Sequence, residues 1–414
     1  MPTNILQQVV TYNESGLALL LNSFAFISTS NKKFKKFNDE IPMNLGDTVS
    51  FDLPPRFTTT NSLVVTFQAA EQRVQNLTVN KEASTAYEFT AQQFIFNVRD
   101  YMDKFGKSAI AEIGSKVEAD VASLAETNTF RFYGDGVTPI NTYLQLANAL
   151  AFFRNFGAAK TNTKGYLSDL TFPPIVNSGL NQFTTEKNNK EMNSWEIGKF
   201  SNSEWYQSNL LKTHTAGTEG NAGTTLTVVS TVSNAAGGVI QITFSGTTAA
   251  SDADSIKAYD KFQFNDGVGA FTNMRFRTFI GHEVSQCPVQ FRATANAAST
   301  GGSQVTVDIY PPLQAAAGNT QNINTAIVAG MQVSVLPDHR CGLIIAGDPL
   351  FLAMPTLPEE VPYPTSVQMD PDSGASIRQY YGSLFGQNQR GMVHDTIWGK
   401  TLVDEYSMLV ALPV

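Results

Sequence analysis

Between Val98 and Ala125 apolar residues return every three or four positions: Val98, Met102, Phe105, Ala109, Ile113, Val117, Val121 and Leu124. At 3.6 residues per turn they fall on one stripe, which predicts a single long helix with one buried face. At ~1.5 Å per residue such a helix is about 42 Å long. Arg99, Asp103, Lys107, Lys116, Glu118 and Asp120 occupy the opposite face. Thr90 and Gln93 have the spacing of a capping box just ahead of it, and Asn128 is its expected stop. Gly106 and Gly114 lie inside the pattern, each costing about 1 kcal/mol against alanine.

Elsewhere the period changes. In residues 46–90, Val49, Phe51 and Leu53 alternate with polar positions, as do Leu63, Val65 and Phe67, and then Leu77 and Val79. Alternation of this kind predicts strands with one apolar face. The expected product is a long β-arm leading into the helix. A two-stranded arm is marginal alone. With no adjoining sheet in view, its apolar face is expected to lie on a neighbouring copy of the chain. Ahead of it, residues 1–45 read as a second arm, with Leu17, Leu20, Leu21, Phe24 and Ile27 at helical spacing and a solvated basic cluster from Lys32 to Lys36. Ile140 to Phe156 predicts another helix, with Tyr143, Leu144, Leu146, Ala147, Leu150 and Phe153 on its inner face. From Thr213 short strands recur: 225–229, 239–244, 261–264, 275–280, 289–293, 305–310 and 332–336. That spacing predicts a small antiparallel barrel or sandwich. It is inserted, because mixed α+β texture resumes at Leu343. Residues 376–412 are again strand-like.

Charged residues make up only 15% of the 414, against roughly 25% in ordinary soluble domains. A surface so poor in charge is weakly protected against association, which points to contact surface in an assembly. The net charge of −8 excludes a dedicated nucleic-acid binder, which would be basic. Cys287 and Cys341 form no CxxC and read as small buried residues kept reduced. The apolar run Leu17 to Ile27 is about half the ~20 residues of a membrane span, and nothing before it resembles a secretory leader; synthesis in the cytoplasm is expected.

Catalytic patterns fail one by one. His214, His282, His339 and His394 form no HExxH. Gly106-Lys107-Ser108 has Tyr101 where a phosphate loop needs glycine. Gly382 to Gly386 has its serine in the wrong place for a nucleophile elbow. Asp370 to Gly374 begins like a calcium loop, but its twelfth position is Tyr381. The expectation is a structural protein, not an enzyme, with no cofactor and no metal.

Several stretches carry a resemblance. Gly46 to Val49 with Leu53-Pro54-Pro55-Arg56-Phe57, Gln72 to Val79 followed by Phe89-Thr90 and Asp100 to Lys107, and Tyr206 to Gly217 occur in a particular order. After them come Asp260-Lys261-Phe262, Val307 to Pro311 and Met392 to Leu412. In that order they resemble the major capsid (coat) proteins of tailed bacteriophages, and most closely the short-tailed Salmonella-type group that carries an inserted domain. The resemblance implies an α+β, HK97-like capsid fold with a long spine helix, an extended β-arm and an inserted small antiparallel β-barrel. It implies an N-terminal arm at 1–45, a β-arm at 46–90, and the spine helix and peripheral domain at 91–135, completed by 375–414. An axial domain at 136–212, completed by 338–374, and an inserted domain at 213–337 follow. Inter-subunit contact is expected at Phe51, Arg56, Phe57, Val65 and Phe67, and a spine core at Met102, Phe105, Ile113, Val117 and Val121. Glu14, the lone acid of the first arm, is the expected docking point for a scaffolding protein. The implied partners are further copies in hexamers and pentamers of a virion shell, a scaffolding protein, a portal and, non-specifically, the enclosed DNA; no membrane is implied. The rival reading is a β-rich phage adhesin or decoration protein, motivated by residues 213–337.

Overall fold

A computed structural model describes residues 24–31, 48–57, 67, 72–90, 105–157, 162–179, 198–265, 274–278, 282–360, 363, 365–369, 375–383 and 389–414. Glu14, Val65, Met102, the lysine cluster and the first part of the expected long helix lie outside the described residues. The chain is mixed α+β and divides into two units. One comprises Met1–Asp52, Val74–Leu124 and Asp348–Leu402; the other comprises Leu53–Arg73, Ala125–Gly347 and Val403–Val414.

In the first unit the long strand Gln389–Leu402 organises a six-stranded sheet. Ser376–Ser383 lies on one side of it, with Arg378 opposite Asp395, and Arg73–Thr90 on the other, from Val79 opposite Gly399 to Thr90 opposite Gln389. Thr48–Leu53 and Thr365–Met369 form the outer strands, and Leu350–Ala353 pairs with the end of Gln389–Leu402. This corrects the expected arm. Its two strands are part of a sheet: Thr48–Leu53 pairs with Arg73–Thr90, whose other neighbour, Gln389–Leu402, lies some 300 residues downstream, beyond the reach of local periodicity. Gly399 marks the close approach: a Cβ there would stand 2.4 Å from the Thr78 carbonyl oxygen. Val49, Leu77 and Ala353 are buried together, with Phe51, Val79 and Phe351 packed on them.

Helical turns run over Lys107–Ala122 and, after a break at Ser123, over Leu124–Thr127. Ile113, Val117 and Val121 are fully buried, as a 3.6-residue stripe requires. Phe105, at the near end of the stripe, is half-exposed. The opposite face is not wholly solvated. Glu118 is buried, and its two carboxylate oxygens accept the backbone N–H groups of Phe26 (2.8 Å) and Ile27 (2.9 Å). These are first-turn donors of the short helix Ala25–Thr29, which have no partner within their own helix. Gly114 makes the approach possible, since a Cβ there would meet the Phe24 ring at 2.3 Å. Asp120 accepts the Trp398 indole N–H at 2.9 Å and pairs with Lys400 at 2.8 Å. Both acids are spent on segments far away in sequence.

The second unit holds a closed barrel and a separate sheet. The barrel runs Gln290–Ala293, Lys261–Phe264, Gln332–Val335, Thr225–Ser233, Val239–Ser245 and Gln304–Leu313, and closes where Arg292 meets Tyr310 and Ala293 meets Ile309. All six pairings are antiparallel. Closure removes sheet edges. The interior is filled rather than hollow: the Phe244, Phe262 and Phe291 rings lie within 6° of parallel, with Phe262 and Phe291 centroids 4.9 Å apart. The separate seven-stranded sheet has order Phe132–Tyr133, Ser407–Leu412, His339–Ala346, Thr163–Leu167, Ser203–Gln207, Lys199–Phe200, with Thr213–His214 also paired to His339–Ala346. Leu343, Ile344 and Ile345 are all buried, the continuous apolar run expected of a strand covered on both faces.

The helix Tyr143–Asn155 starts at a full capping box, Thr142 accepting from the Gln145 N–H while the Gln145 side chain reaches back to the Thr142 N–H. Tyr143, Leu146, Leu150 and Phe153 are buried, but Leu144 faces outward. One residue past Tyr143, it falls about 100° round the helix from that face.

Candidate functional site

Two side chains bring the ends of the arm segment Leu53–Arg73 to one point. Arg56 and Arg73 both hold the carboxylate of Glu405, and a second Arg73 nitrogen reaches the other Glu405 oxygen at 3.1 Å. Arg56, one of the expected contact residues, pairs here with a carboxylate of its own chain, 349 residues away. Pro54 and Pro55 follow the strand Thr48–Leu53, and Arg56 just beyond them reaches Glu405 in the turn Asp404–Tyr406.

That turn is fixed from below. Arg131, fully buried, donates to the Glu405 carbonyl at 2.6 Å and the Ser407 carbonyl at 3.0 Å. Its guanidinium stands 4.0 Å from the centroid of the Phe156 ring, a cation–π contact. Burial pulls the Arg131 pKa down to about 10, opposed by the nearby Asp404 and Glu405, so it stays charged at neutral pH. Tyr310 donates its hydroxyl to Asp404 at 2.5 Å. Burial raises both the phenol and the carboxyl, which favours their neutral or shared-proton states. A cavity of about 330 Å³ opens beside the group, lined in part by Arg56, Arg73, Phe130, Phe156, Tyr310 and Glu405. The charged groups here are engaged with one another, and the arrangement fastens both ends of the segment. Among the described residues no group of three or more His, Cys, Asp or Glu is placed to hold a metal.

Beyond the clasp the arm residues diverge. Phe57 is 54% and Phe67 95% exposed. Phe51, expected to face a neighbour, packs on Phe351 in the same chain with ring centroids 4.5 Å apart. Of the five expected contact residues, Phe57 and Phe67 are exposed, Phe51 and Arg56 have partners in their own chain, and Val65 lies outside the described residues.

A second cluster sits where the chain enters and leaves the barrel. Thr213–His214 pairs with His339–Ala346, His214 directly opposite His339, so entry and exit are neighbours. His214 Nδ1 lies 2.8 Å from Glu126 Oε1 and Nε2 lies 2.7 Å from Asp260 Oδ1. Asp260 is wholly buried and also accepts the N–H groups of Gly217 (3.1 Å) and Lys257 (2.8 Å). Next to it Lys261 donates to the carbonyls of Glu126 and Thr129. The Phe132 N–H donates to the Gln290 side-chain carbonyl and the Gln290 side-chain N–H donates back to the Phe132 carbonyl, both at 2.9 Å, and Phe130 and Phe156 belong to the barrel's own core. Sequence reading placed none of His214, Asp260, Lys261, Arg73, Arg131 or Glu405 in a cluster. No local signal could have done so, since each partner is tens to hundreds of residues away. Cys287 and Cys341 are both free and buried, with burial raising the Cys341 thiol to about 12, so it is inert. Among the described residues no helix is long and apolar enough to cross a membrane.

No family model matches the sequence, and no curated protein matches it. Among solved structures, one described as Mycobacterium phage Che8 is similar over 94% of this chain and 90% of its own, at 7% identity and a TM-score of 0.48. The capsid asymmetric unit of Cyanophage Pam1 is similar over 93% and 89%, at 9% identity and a TM-score of 0.44. A virus-like particle from Pyrococcus furiosus is similar over 97% of both chains, at 5% identity and a TM-score of 0.42.

Proposed function

We propose that this chain is the major capsid protein of a tailed double-stranded DNA phage, built on the HK97-like fold, and that its work is to assemble copies of itself into an icosahedral shell. The observation that carries the reading is the arm segment. It is fastened at both ends to Glu405, yet it holds Phe57 and Phe67 in solvent. Burying a phenyl side chain against another copy contributes roughly 1.5–3 kcal/mol, and a closed shell repeats the contact at every copy. The order of parts supports the same reading: an arm, a helix with one buried stripe, and a closed barrel whose entry and exit strands pair with each other.

The finer assignments belong to the same proposal. Copies gather in hexamers and pentamers, with residues 213–337 as the inserted domain of the Salmonella-type group. Glu14 docks a scaffolding protein, a portal admits the DNA, and the finished protein resides in the virion. Electron microscopy of the purified chain, alone and with a scaffolding partner, tests the proposal. Closed shells or ring-shaped capsomers are expected. Discrete trimers that bind glycan, or monomers under all assembly conditions, would overturn it.

A further inference from the structure

We propose that His214 is a charged pin that holds the barrel onto its stem, and that raising the pH withdraws it. The argument begins with hydrogen-bond roles. An ionised carboxylate only accepts, and an imidazole nitrogen donates only when it carries a proton. His214 has a carboxylate oxygen at 2.8 Å on one ring nitrogen and at 2.7 Å on the other. A neutral ring has one donor and can satisfy only one of them. The geometry therefore selects the imidazolium, with both N–H groups donating. Burying a charge is costly unless it is paired and hydrogen-bonded, and here both conditions are met.

The two carboxylates belong to different parts of the unit. Asp260 immediately precedes the barrel strand Lys261–Phe264, and Glu126 sits in the helical turn Leu124–Thr127, outside the barrel. The pin is thus a bridge between them. Proton loss would leave two carboxylates facing one donor. The surrounding groups sharpen the dependence. His339, ring centroid 5.2 Å away, is pushed by burial to about 4 and stays neutral, so it cannot replace the charge. Lys261 is pushed by burial to about 7, so it offers less positive charge as the pH rises. The Cys341 thiol, raised to about 12, adds none. For His214 itself, burial opposes the charge, but the bonds to Asp260 and Glu126 outweigh it and hold the pKa above the ordinary 6.5.

The sign follows by linkage. A base whose folded pKa is raised stabilises fully below its unfolded value near 6.5 and loses that contribution as the pH climbs through the folded value. Lys261 and His339 are shifted the other way and contribute with opposite slope. The informative quantity is therefore the difference between wild type and a His214→Gln variant, in which the glutamine amide keeps a single donor group.

Histidine-selective 13C and 15N NMR on the full chain, with His214→Gln used to assign the signal, reads the protonation state directly. The expected result is a ring with both nitrogens protonated at pH ~6, titrating above 6.5. Thermal melts should show a gap in Tm between wild type and variant of roughly 4 °C or more at pH ~6 that narrows towards pH ~9. Limited proteolysis at the barrel stem of the wild type should quicken by about tenfold over the same range. A neutral His214 tautomer at pH ~6, or a Tm gap that does not change with pH, would overturn the proposal. If His214→Gln fails to fold, the wild-type titration decides alone, the three remaining histidines being assigned by their own variants.

Discussion

The barrel and the arm segment are built of similar residues and treat them in opposite ways. In the barrel, six short strands close on themselves and turn Phe244, Phe262 and Phe291 inward. In the segment Leu53–Arg73, Phe57 and Phe67 are exposed, and the ends are held by ion pairs to one carboxylate. The barrel is stabilised by removing apolar area from water. Phe67, almost fully exposed, gains next to nothing of the kind within one copy. An exposed phenyl group costs little, whereas a void in a closed barrel is costly.

Three substitutions separate these regimes. Phe262→Ala removes the middle of the phenyl stack and leaves a void in a closed interior. It should cost about 3–5 kcal/mol, visible as a lowered Tm or denaturant midpoint of the isolated chain. A loss under about 1 kcal/mol would mean that the barrel can collapse around the gap and is less rigid than its closure suggests. Glu405→Gln should have a middling effect. It removes the anion that two guanidiniums share, but the arginines retain some access to water, so the several-kcal/mol penalty of an orphaned buried charge is reduced to roughly 1–3 kcal/mol. Hydrogen exchange of the amides around Arg56 and Arg73 should quicken, with the barrel amides unchanged. Uniform loss of protection would show that the clasp supports the whole unit, not the arm alone. Phe67→Ser is the smallest for one copy, within about 0.5 kcal/mol as for most surface changes. Its effect should appear only in assemblies, as a lower temperature or denaturant concentration for disassembly. An equal drop for the free chain would place Phe67 in an interior of its own copy.

The same contrast explains what could be read in advance. The barrel strands were legible because alternation and turn residues act over a few positions; the predicted 261–264 is the observed Lys261–Phe264. The capping box at Thr142 and Gln145 is likewise local. The stripe through Ile113, Val117 and Val121 depends on helical period alone. What escaped reading is long-range and polar. Glu118 looks like any helix-surface acid until the segment at Phe26 is laid on it, 92 residues away. Arg131 follows a phenylalanine in an ordinary link and turns out to support a turn 274 residues later. The partner of the arm strand Arg73–Thr90 was invisible because pairing is decided by the strand Gln389–Leu402 at the other end of the chain. Among the candidate contact residues, composition marked Phe57 and Phe67 correctly as apolar but could not tell them from Phe51, which finds Phe351.

The clasp at Glu405 also acts as a ruler. Because Arg56 and Arg73 end on the same carboxylate, the ~17-residue span between them must travel out and return. Half of it, at ~3.3–3.6 Å per residue, limits the tip to roughly 30 Å from Glu405 apart from the length of the arginine side chains. Any surface that receives the arm has to lie inside that radius, whatever path the span takes. Each pair of residues deleted from it would draw the limit in by about one residue length. A pair of ion bonds that looks like local stitching thereby bounds how far the span can extend.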